Sequence, residues 1–458
     1  MAPPHGDESK LLEQVKDFFA KYETSKKDQK VFTDLYRKFL MENAHIDWNS
    51  WKHISEDVQK DAKNLPPFDG SRNDVLKRLA VVKLNGGLGT TMGCDEPKSF
   101  IVLRDGLSFL EIAIKQHQKC NEKYNSSVPL YLMNSFYTNR STQEKLREMG
   151  VEDDVQCFEQ SKCPRIFKDS LLPVGDAEWG DDAWCPPGHG NIFEALSNTG
   201  TLQKLLDEGR DILFVSNIDN TGATLDLSIA QFMADSSLEY VMECTNKTQN
   251  DIKGGTLIEI SNRLMHLEIP QVPPEHLDDF CSTKVFKIFN TNNIWVNLKA
   301  VKANLSDIKS EIIVNHKTVR GRQVIQLETS IGGCIRNFEK AYCVHVDRSR
   351  FRPVKRVEDL VCMSSNLFEI TPDFTFCLVA PQVPTIDLGK FYQKVANKDK
   401  RMPKVPKFSN ASSFVIEGDV AFEGDVTIKG DVSIINKKEK QEIIPAGAVL
   451  DNEKRNLE

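Results

Sequence analysis

A glycine-rich stretch directly after a short apolar run constrains the fold of this chain more than any other feature. Residues 79–82 have the composition of a buried strand, and residues 84–93 after them hold four glycines. Glycine lets a backbone approach a ligand closely because it has no side chain, and successive free N–H groups form a concave anion site. Lys98, shortly after the glycines, adds a positive charge. The pattern predicts a strand and loop that bind a nucleoside triphosphate.

Two well-known phosphate motifs do not match this loop. A P-loop needs Gly-Lys-Ser/Thr after four spacer residues, whereas Lys98 and Ser99 follow Pro97, which a helix does not tolerate in its interior. The dinucleotide fingerprint needs a third glycine where this chain has Met92. Neither a P-loop kinase nor a nicotinamide enzyme is therefore indicated. From this loop alone, an ordinary glycine-rich turn after a strand remains the alternative.

Seven further motifs follow the loop in a fixed order. They are residues 134–136, 164–166, 186–190, 216–220, 253–256, 289–293 and 348–355. Together with the loop and its Pro97-Lys98 they resemble the motifs of the eukaryotic UTP:glucose-1-phosphate uridylyltransferases, also called UDP-glucose pyrophosphorylases. The resemblance covers roughly residues 80–450 and implies transfer of uridylyl from UTP to glucose 1-phosphate, giving UDP-glucose and pyrophosphate.

Composition narrows the possible partners and compartment. A formal net charge of -7 argues against a general nucleic-acid binder, which would have a basic surface. The eleven cysteines include no C-x-x-C pair, so neither a zinc ribbon nor a disulfide framework is indicated and a reducing, cytoplasmic location is expected. Residues 1–10 lack an apolar h-region, which predicts no secretory signal. No run reaches the roughly 20 apolar residues of a membrane span, so no membrane partner is expected.

Strand and helix patterns alternate from about residue 75 to 360. Ser108 and Glu111 predict a capping box for a helix running toward Tyr124, and residues 212–215 and 240–242 read as strands. Alternation of this kind predicts a mainly parallel sheet with helices on both faces. The resemblance implies an α/β, Rossmann-like nucleotidyltransferase fold of the glycosyltransferase-A-like type, with a mixed sheet. The predicted domains are a helical region 1–70, a catalytic domain 71–360 and a C-terminal domain 361–458.

Both ends of the chain differ from this central part. Apolar residues recur at helical spacing between Leu11 and Tyr22 and between Val31 and Leu40, which predicts two amphipathic helices that serve as a packing appendage. Near the C-terminus Gly418, Gly424 and Gly430 are six residues apart. A six-residue repeat with apolar positions in register indicates a parallel β-helix at about 411–450, with a β-hairpin meander as the alternative. The resemblance implies a left-handed β-helix that mediates homo-oligomer formation.

The chemistry implied by the resemblance is nucleotidyl transfer, in which a sugar phosphate oxygen attacks the α-phosphorus of UTP. Such a site must align two polyanions and neutralise the charge that builds up. By the match of motifs Lys98 contacts the triphosphate, and Lys355 neutralises the sugar phosphate. Asp219 matches the Mg²⁺ ligand, since Mg²⁺ prefers one or two carboxylates plus phosphate oxygens. From the residues alone, a turn role is favoured for Asp219, and Lys355 could be a solvated surface charge; the resemblance reverses the first of these.

The remaining candidate residues bind the nucleoside and the hexose. Gln160 matches a base-contacting glutamine, and an amide suits the imide edge of uracil because it both donates and accepts. His189 matches a histidine near the phosphates and sugar, with a structural hydrogen bond as the alternative, and Met133 either lines the nucleoside site or belongs to the core. The other nucleotide and sugar positions implied by the resemblance are Leu84, Asn85, Gly86, Gly87, Gly188, Asn217, Gly255, Asn290 and Asn292.

Two other functions compete with this one. A UDP-N-acetylhexosamine pyrophosphorylase has a related loop but normally carries arginine where this chain has Thr91. A catalytically silent sugar-nucleotide sensor or scaffold would be expected to lack Lys98, Lys355 or Asp219, and all three are present. Two departures from the family motifs stand out. Glu96 adds a negative charge before Pro97, so it should point outward, and Cys163 replaces a bulkier residue.

Overall fold

The computed structural model describes residues 8–22, 24–41, 45–175 and 177–458. These residues divide into two compact units. The first unit takes its described residues from Met1–Gly86, Ser126–Asn217 and Leu225–Arg348. The second unit consists of Gly87–Asn125, Ile218–Thr224 and Ser349–Glu458. The predicted absence of a secretory signal concerns residues 1–10, of which 1–7 lie outside the described residues.

An eight-stranded mixed sheet forms the centre of the first unit. In spatial order its strands are Gln59–Asp61, Ala341–His345, Tyr240–Asn246, Ile288–Asn297, Ile212–Asn217, Leu79–Asn85, Leu130–Asn134 and Val155–Glu159. Only Ile288–Asn297 runs antiparallel to its neighbours, and the other pairings are parallel. The central strands are apolar along their length, and Val82 and Val215 are fully buried, as in sheets covered on both faces. The α/β mixed-sheet prediction is confirmed.

Helices cover this sheet, and smaller sheets flank it. The helices of the first unit are Glu8–Lys21, Lys26–Met41, Asn73–Arg78, Asn139–Met149, Ile192–Asn198, Thr201–Asp207, Leu227–Asp235, Leu277–Cys281 and Leu298–Asn304. One small sheet joins Trp51–Lys52, Thr256–Ile260 and Arg263–Leu267; a second pairs Cys163–Pro164 with Trp184–Cys185; a third joins Ile166–Phe167, Arg322–Thr329 and Ile312–Val319.

The two N-terminal helices confirm the amphipathic prediction. Val15, Phe32 and Tyr36 lie on their apolar faces and are at most 1% exposed. They share a hydrophobic cluster with Ile325 and Leu327 of the third small sheet. Burial of this stripe, more than intrinsic helix propensity, stabilises such helices. The pair packs as an appendage on the first unit.

The second unit begins with the end of the glycine-rich loop. Its helices are Phe109–Tyr124, Val357–Ser364 and Val395–Arg401. Ser108 caps the first of them, accepting from the Glu111 backbone N–H at 3.3 Å while the Glu111 carboxylate accepts from the Ser108 backbone N–H at 2.8 Å. This reciprocal bonding is the predicted capping box. Two short hairpins complete the region, Val102–Arg104 with Leu107–Ser108 and Phe368–Ile370 with Phe376–Leu378.

The C-terminal strands of the second unit pair in parallel. They are Thr385–Asp387, Lys407–Glu417, Val420–Phe422, Thr427–Asn436, Glu442–Ile444, Val449–Asp451 and Lys454–Leu457. Every pairing recorded among these strands is parallel, so the hairpin-meander alternative is wrong. The repeat positions Ile416, Phe422, Ile428 and Ile434 are at most 2% exposed. The six-residue period therefore reflects one buried apolar position recurring along parallel strands.

Helix length and polarity bear on membrane association. Among the described residues, none of the helices is both long and apolar enough to cross a bilayer.

Candidate active site

The strand Leu79–Asn85 leads directly into the glycine-rich loop. Asn85 is buried, and its Nδ2 donates to Asn134 Oδ1 at 2.8 Å and to Thr142 Oγ1 at 3.0 Å. The Ser135 hydroxyl donates to the Gly86 carbonyl at 2.7 Å. These bonds fix the start of the loop to the neighbouring strand Leu130–Asn134 and the residues after it. The loop therefore starts from a fixed position at the carboxyl end of a parallel strand, where ligands of α/β proteins bind.

Gln160 lies against the glycine backbone. A Cβ at Gly86 would lie 2.1 Å from Gln160 Nε2, so only glycine leaves room for this amide. Gln160 is 8% exposed, and among the described residues its Oε1 has no hydrogen-bond partner. Leaving a buried acceptor unpaired costs roughly 1–3 kcal/mol. The arrangement therefore suits a ligand that donates a hydrogen bond here.

A second loop brings Gly188 and His189 to the same unit. Gly188 has φ +82°, and a Cβ there would lie 2.5 Å from the Thr329 carbonyl oxygen. The Ile331 backbone N–H donates to His189 Nδ1 at 3.1 Å, which places the ring proton on Nε2. Burial lowers the pKa of His189 to about 4. The imidazole is therefore neutral near pH 7 and can donate one hydrogen bond from Nε2.

This second loop is joined to the Gln160 segment by a buried amide that sequence reasoning missed. Asn191 is 2% exposed, and its Oδ1 accepts from the Ser161 backbone N–H at 2.8 Å. An asparagine between Gly190 and Ile192 has no periodicity or spacing that would single it out. Asn191 holds the residues that follow Gln160 and Gly188 in one arrangement.

Three predicted amides form a connected row. Asn217 ends the strand Ile212–Asn217 and pairs in register with Leu84. Its Oδ1 accepts from Asn292 Nδ2 at 2.9 Å, and Asn290 Oδ1 accepts from the Asn292 backbone N–H at 2.7 Å. The Gly255 carbonyl in turn accepts from the Asn290 backbone N–H at 2.9 Å. Neutral amides suit sugar hydroxyls because each offers both a donor and an acceptor.

Unlike the polar candidates for the site, Met133 has hydrophobic surroundings. It is 1% exposed and belongs to the hydrophobic core that also holds Tyr131 and Phe158. Leu84, opposite Met133 in the parallel register, is partly buried against the same core. Met133 thus belongs to the core, and a contact of its side chain with the nucleoside stays a prediction.

The cationic candidates lie in the second unit. The Lys98 backbone N–H donates to the Gly87 carbonyl at 3.1 Å, and the Gly89 N–H donates to the Glu96 carbonyl at 3.3 Å. These bonds close the loop and bring the backbone of Lys98 next to Gly87. Glu96 is exposed, which matches the expectation that its carboxylate points outward. The Lys98 ammonium forms a short ion pair with the carboxylate of Asp219.

Asp219 belongs to the short segment Ile218–Thr224, which is tied to the arginine-rich motif, residues 348–355. Asn220 Nδ2 donates to the Arg350 carbonyl at 3.1 Å, and the Arg352 backbone N–H donates to Asn220 Oδ1 at 2.8 Å. Within the described residues no backbone N–H is recorded donating to the Asp219 carboxylate; the N-cap of the next helix, Leu227–Asp235, is Asp226. Asp219 therefore lies in a turn, its carboxylate pairs with Lys98, and a role in holding Mg²⁺ stays a prediction.

Lys355 closes the arginine-rich motif and is exposed. Its backbone N–H donates to Asp359 Oδ2 at 2.9 Å, at the start of the helix Val357–Ser364. Its ammonium lies 5.9 Å from the centre of the Phe351 ring. The backbone of Lys355 is fixed while its charged group remains accessible to an anion.

The acidic groups fit a Mg²⁺ ion better than a zinc-type centre. In the part of the chain that the structure describes, no group of three or more His, Cys, Asp or Glu side chains could hold a metal. Asp219 offers one carboxylate that is 15% exposed. Mg²⁺ commonly binds through one or two carboxylates together with substrate phosphates. The donor set therefore fits a magnesium ion brought in with a phosphate ligand.

The comparison with known proteins agrees with this geometry. The sequence model described as UTP--glucose-1-phosphate uridylyltransferase matches residues 29–429. The chain belongs to the UTP--glucose-1-phosphate uridylyltransferase family. The family resemblance read from the motifs is confirmed.

Relatives of this uridylyltransferase family extend over nearly the whole chain. A protein named probable UTP--glucose-1-phosphate uridylyltransferase from Schizosaccharomyces pombe is 41% identical over 456 residues, 96% of this chain and 90% of that protein. The UTP--glucose-1-phosphate uridylyltransferase of Hordeum vulgare is 42% identical over 455 residues, 96% of each. A crystal structure of a UDP-glucose pyrophosphorylase variant from Leishmania major in complex with UDP-glucose aligns with TM-score 0.87 at 29% identity, covering 98% of this chain and 99% of that one.

Proposed function

We propose that this protein transfers uridylyl from UTP to glucose 1-phosphate, giving UDP-glucose and pyrophosphate, by reversible in-line attack on the α-phosphorus. Membership of the uridylyltransferase family supports the reaction. The observation that carries it in the structure is the unpaired Oε1 of buried Gln160 beside the glycine backbone of Gly86. The imide N–H of uracil is a donor that this acceptor could receive.

The first unit would bind the nucleoside and the hexose. Gln160 and the backbone at Gly86 and Gly188 would read the base, because an amide and main-chain groups offer fixed donors and acceptors. Neutral His189 would donate from Nε2 to a phosphate or sugar oxygen. Asn217, Gly255, Asn290 and Asn292 would hold the hexose hydroxyls. Leu84 and Asn85 would position the start of the glycine-rich loop.

The second unit would neutralise the negative charge of the phosphates. Lys98, with the Gly87 carbonyl bound to its own N–H, would stabilise the negative charge that develops on the α-phosphate, since fixed cations lower the barrier of phosphoryl-type transfer. Lys355 would neutralise the phosphate of glucose 1-phosphate. A Mg²⁺ ion, held by Asp219 and phosphate oxygens, would supply further charge neutralisation. The protein itself would provide no covalent nucleophile.

One experiment tests this function against its rivals. Pyrophosphate release from UTP and Mg²⁺ is measured with glucose 1-phosphate and, in parallel, with N-acetylglucosamine 1-phosphate. Strong release with glucose 1-phosphate alone is the expected result. Preference for the N-acetyl sugar would indicate a UDP-N-acetylhexosamine pyrophosphorylase. No release with either sugar phosphate would leave the sensor or scaffold hypothesis.

We also propose that the C-terminal strands form a left-handed β-helix through which the protein forms homo-oligomers. The parallel pairings and the six-residue period support this architecture. Ile443 and Val449 lie on these strands and are 52% and 56% exposed, which leaves apolar surface for a second copy. Sedimentation of the double variant Ile443→Asp/Val449→Asp should give a smaller species than the original protein. An unchanged sedimentation coefficient would place the contact elsewhere.

Two further expectations remain proposals. The division into a helical region 1–70, a catalytic domain 71–360 and a C-terminal domain 361–458 is one of them. The other is a cytoplasmic location, which rests on the eleven cysteines being present as free thiols, as is usual in a reducing compartment.

A further inference from the structure

His266 contacts the proposed hexose-binding amides but matches none of the sequence motifs. It lies in the strand Arg263–Leu267 and is 1% exposed. Its Nε2 is 3.3 Å from Asn290 Nδ2. Its Nδ1 is buried without a hydrogen-bond partner among the described residues, and Glu268 Oε1 lies 3.6 Å away. A buried ring in contact with a ligand-binding amide calls for a physical explanation.

The direction of the hydrogen bonds follows from a single backbone donor. The Asn292 backbone N–H can only donate, so the Asn290 atom 2.7 Å away must be its carbonyl oxygen Oδ1. The Asn290 NH₂ group must therefore face His266, and Nε2 of the ring must accept. The ring proton then resides on Nδ1, facing the carboxylate of Glu268. This order leaves no freedom in the orientation of the Asn290 amide.

A further hydrogen bond connects Asn292 to Asn217, the last amide of the row. Asn292 has φ +60°, and its Nδ2 donates to Asn217 Oδ1 at 2.9 Å. The hydrogen bonds described for these two amides do not involve Oδ1 of Asn292 or Nδ2 of Asn217. One acceptor and one donor are thus presented side by side. A sugar hydroxyl, which both donates and accepts, is the chemical group that this pair would recognise.

Two glycines hold the imidazole in place. A Cβ at Gly255 would lie 2.4 Å from His266 Nε2, and a Cβ at Gly332 would lie 2.8 Å from Nδ1 and 2.9 Å from Asn290 Nδ2. Backbone therefore encloses the ring on both sides. Any side chain at either glycine would push the ring away from Asn290. The absence of a side chain at both glycines therefore allows this histidine to contact the amide.

We propose that His266 is a positioning residue for the hexose, acting through Asn290 and Asn292. By accepting from Asn290 Nδ2 it holds the amide in the orientation that the Asn292 backbone N–H requires, so that hydroxyls of the glucosyl group meet a donor and an acceptor in fixed positions. This inference rests on the proposed function, because it assigns the hexose as the group that the row binds. It adds a residue that touches neither the nucleotide nor the reacting phosphates.

The test compares two ligands that differ only in the hexosyl group. The dissociation constants of UDP-glucose and UDP are measured by calorimetry with the full chain. His266→Leu removes the acceptor and should weaken UDP-glucose binding about tenfold, the effect of one lost hydrogen bond, while UDP binding stays within about twofold. His266→Gln supplies an amide oxygen near the position of Nε2 and should restore most of the affinity.

A second variant covers the case in which His266→Leu does not fold. Gly332→Ala keeps every side chain of the row, but its methyl would crowd both the ring and Asn290 Nδ2, so it should also weaken UDP-glucose selectively. His316, exposed on the strand Ile312–Val319, provides the matched control His316→Leu, for which the ratio of the two dissociation constants should not change. An equal loss for both ligands, no loss, or no rescue by glutamine would overturn the proposal.

The two proposals fail in different ways. Should the original protein bind UDP-glucose yet make none from UTP and glucose 1-phosphate, the proposed function is wrong, and His266 is still judged by the two dissociation constants. Should it make UDP-glucose while His266→Leu leaves the ratio unaltered, only the positioning role is wrong.

Discussion

The ammonium group of Lys98 forms an ion pair with the carboxylate of Asp219, which lies 121 positions further along the chain. Both side chains are mostly buried, 20% and 15% exposed, so each charge depends on the other for compensation. A triphosphate would compete for Lys98, and a magnesium ion would compete for Asp219. Without a ligand, the ammonium and the carboxylate of the proposed mechanism therefore neutralise each other.

Replacing Lys98 tests the proposed charge stabilisation. We expect Lys98→Ala to lower kcat at least about 100-fold, because a fixed cation at the developing charge is lost, while the fold is retained. Steady-state pyrophosphate release and a thermal unfolding scan measure the two effects. Lys119→Ala serves as control, since within the described residues the ion pair of this lysine is with Glu122 on the helix surface. Near-normal turnover would remove Lys98 from the mechanism.

Replacing Asp219 tests the metal site. Asp219→Asn keeps the shape but removes the charge, so the Mg²⁺ concentration at half-maximal rate should rise about tenfold or more. Asp105, 75% exposed beside Arg104, offers the control Asp105→Asn, with an unaltered titration expected. Equal Mg²⁺ curves for Asp219→Asn and the original protein would indicate a purely structural carboxylate.

Gly86 should control access of Gln160 to the base. In Gly86→Ala the new methyl would meet Nε2, the mobile end of the Gln160 side chain, so the amide would swing away with little effect on stability. We expect KM for UTP to rise about tenfold and KM for glucose 1-phosphate to change little. Gly70→Ala, at a position with open space, is the matched control. A comparable rise in both KM values would argue against base recognition by Gln160.

The pKa of His189 predicts a pH dependence of stability. Burial lowers this pKa to about 4, whereas an unfolded histidine titrates near 6.5. The unfolded state thus binds more protons between these values, so the neutral ring stabilises the native state above about pH 6.5 and this contribution is lost as pH falls toward 4. In His189→Asn, which keeps an acceptor for Ile331, the slope of unfolding free energy against pH should fall by up to about 1.4 kcal/mol per unit.

Urea unfolding between pH 4 and 7 measures this slope for both proteins. Identical slopes would show that the ring titrates normally in the folded protein.

Two equivalent glycines of the C-terminal repeat should differ in their tolerance of alanine. Gly418 has φ +89°, and a Cβ there would lie 1.9 Å from the Asn436 carbonyl oxygen. Gly424 has no positive φ, and its Cβ would lie 3.0 Å from the Ala446 methyl. We expect Gly418→Ala to destabilise by about 2–4 kcal/mol and Gly424→Ala by less than about 1 kcal/mol. Urea unfolding of both variants checks the ranking; equal losses would contradict it.

Local features were predictable from the sequence because they depend on neighbouring residues. The capping box joins Ser108 to Glu111, three positions apart, and the buried repeat positions Ile416 and Phe422 are six apart. Contacts across long stretches were not predictable in the same way. Nothing in the spacing of Lys98 and Asp219 shows that they meet, and the family motifs brought them together only as partners of one ligand.

His266 illustrates a different limit. It lies between Met265 and Leu267 in a strand whose last four residues are all buried, so its sequence context predicts only burial. Its proposed role depends on two glycines, Gly255 and Gly332, that lie against the ring and belong to other segments of the chain. Such a fit becomes visible only when the backbone positions are known.

The parallel pairing near the C-terminus has a consequence for how this protein can change in length. Ser413 to Glu417 pair with residues eighteen positions later, as Phe414 does with Val432. The offset is twenty at Lys407, which pairs with Thr427, and twenty-two at Thr427, which pairs with Val449. Loss of a single residue inside a regular strand segment would turn the apolar side chains that follow it in that strand to the wrong face. Insertions and deletions tolerated during evolution should therefore lie in the turns and at the register shifts between Phe408 and Ser413, where the offset already varies.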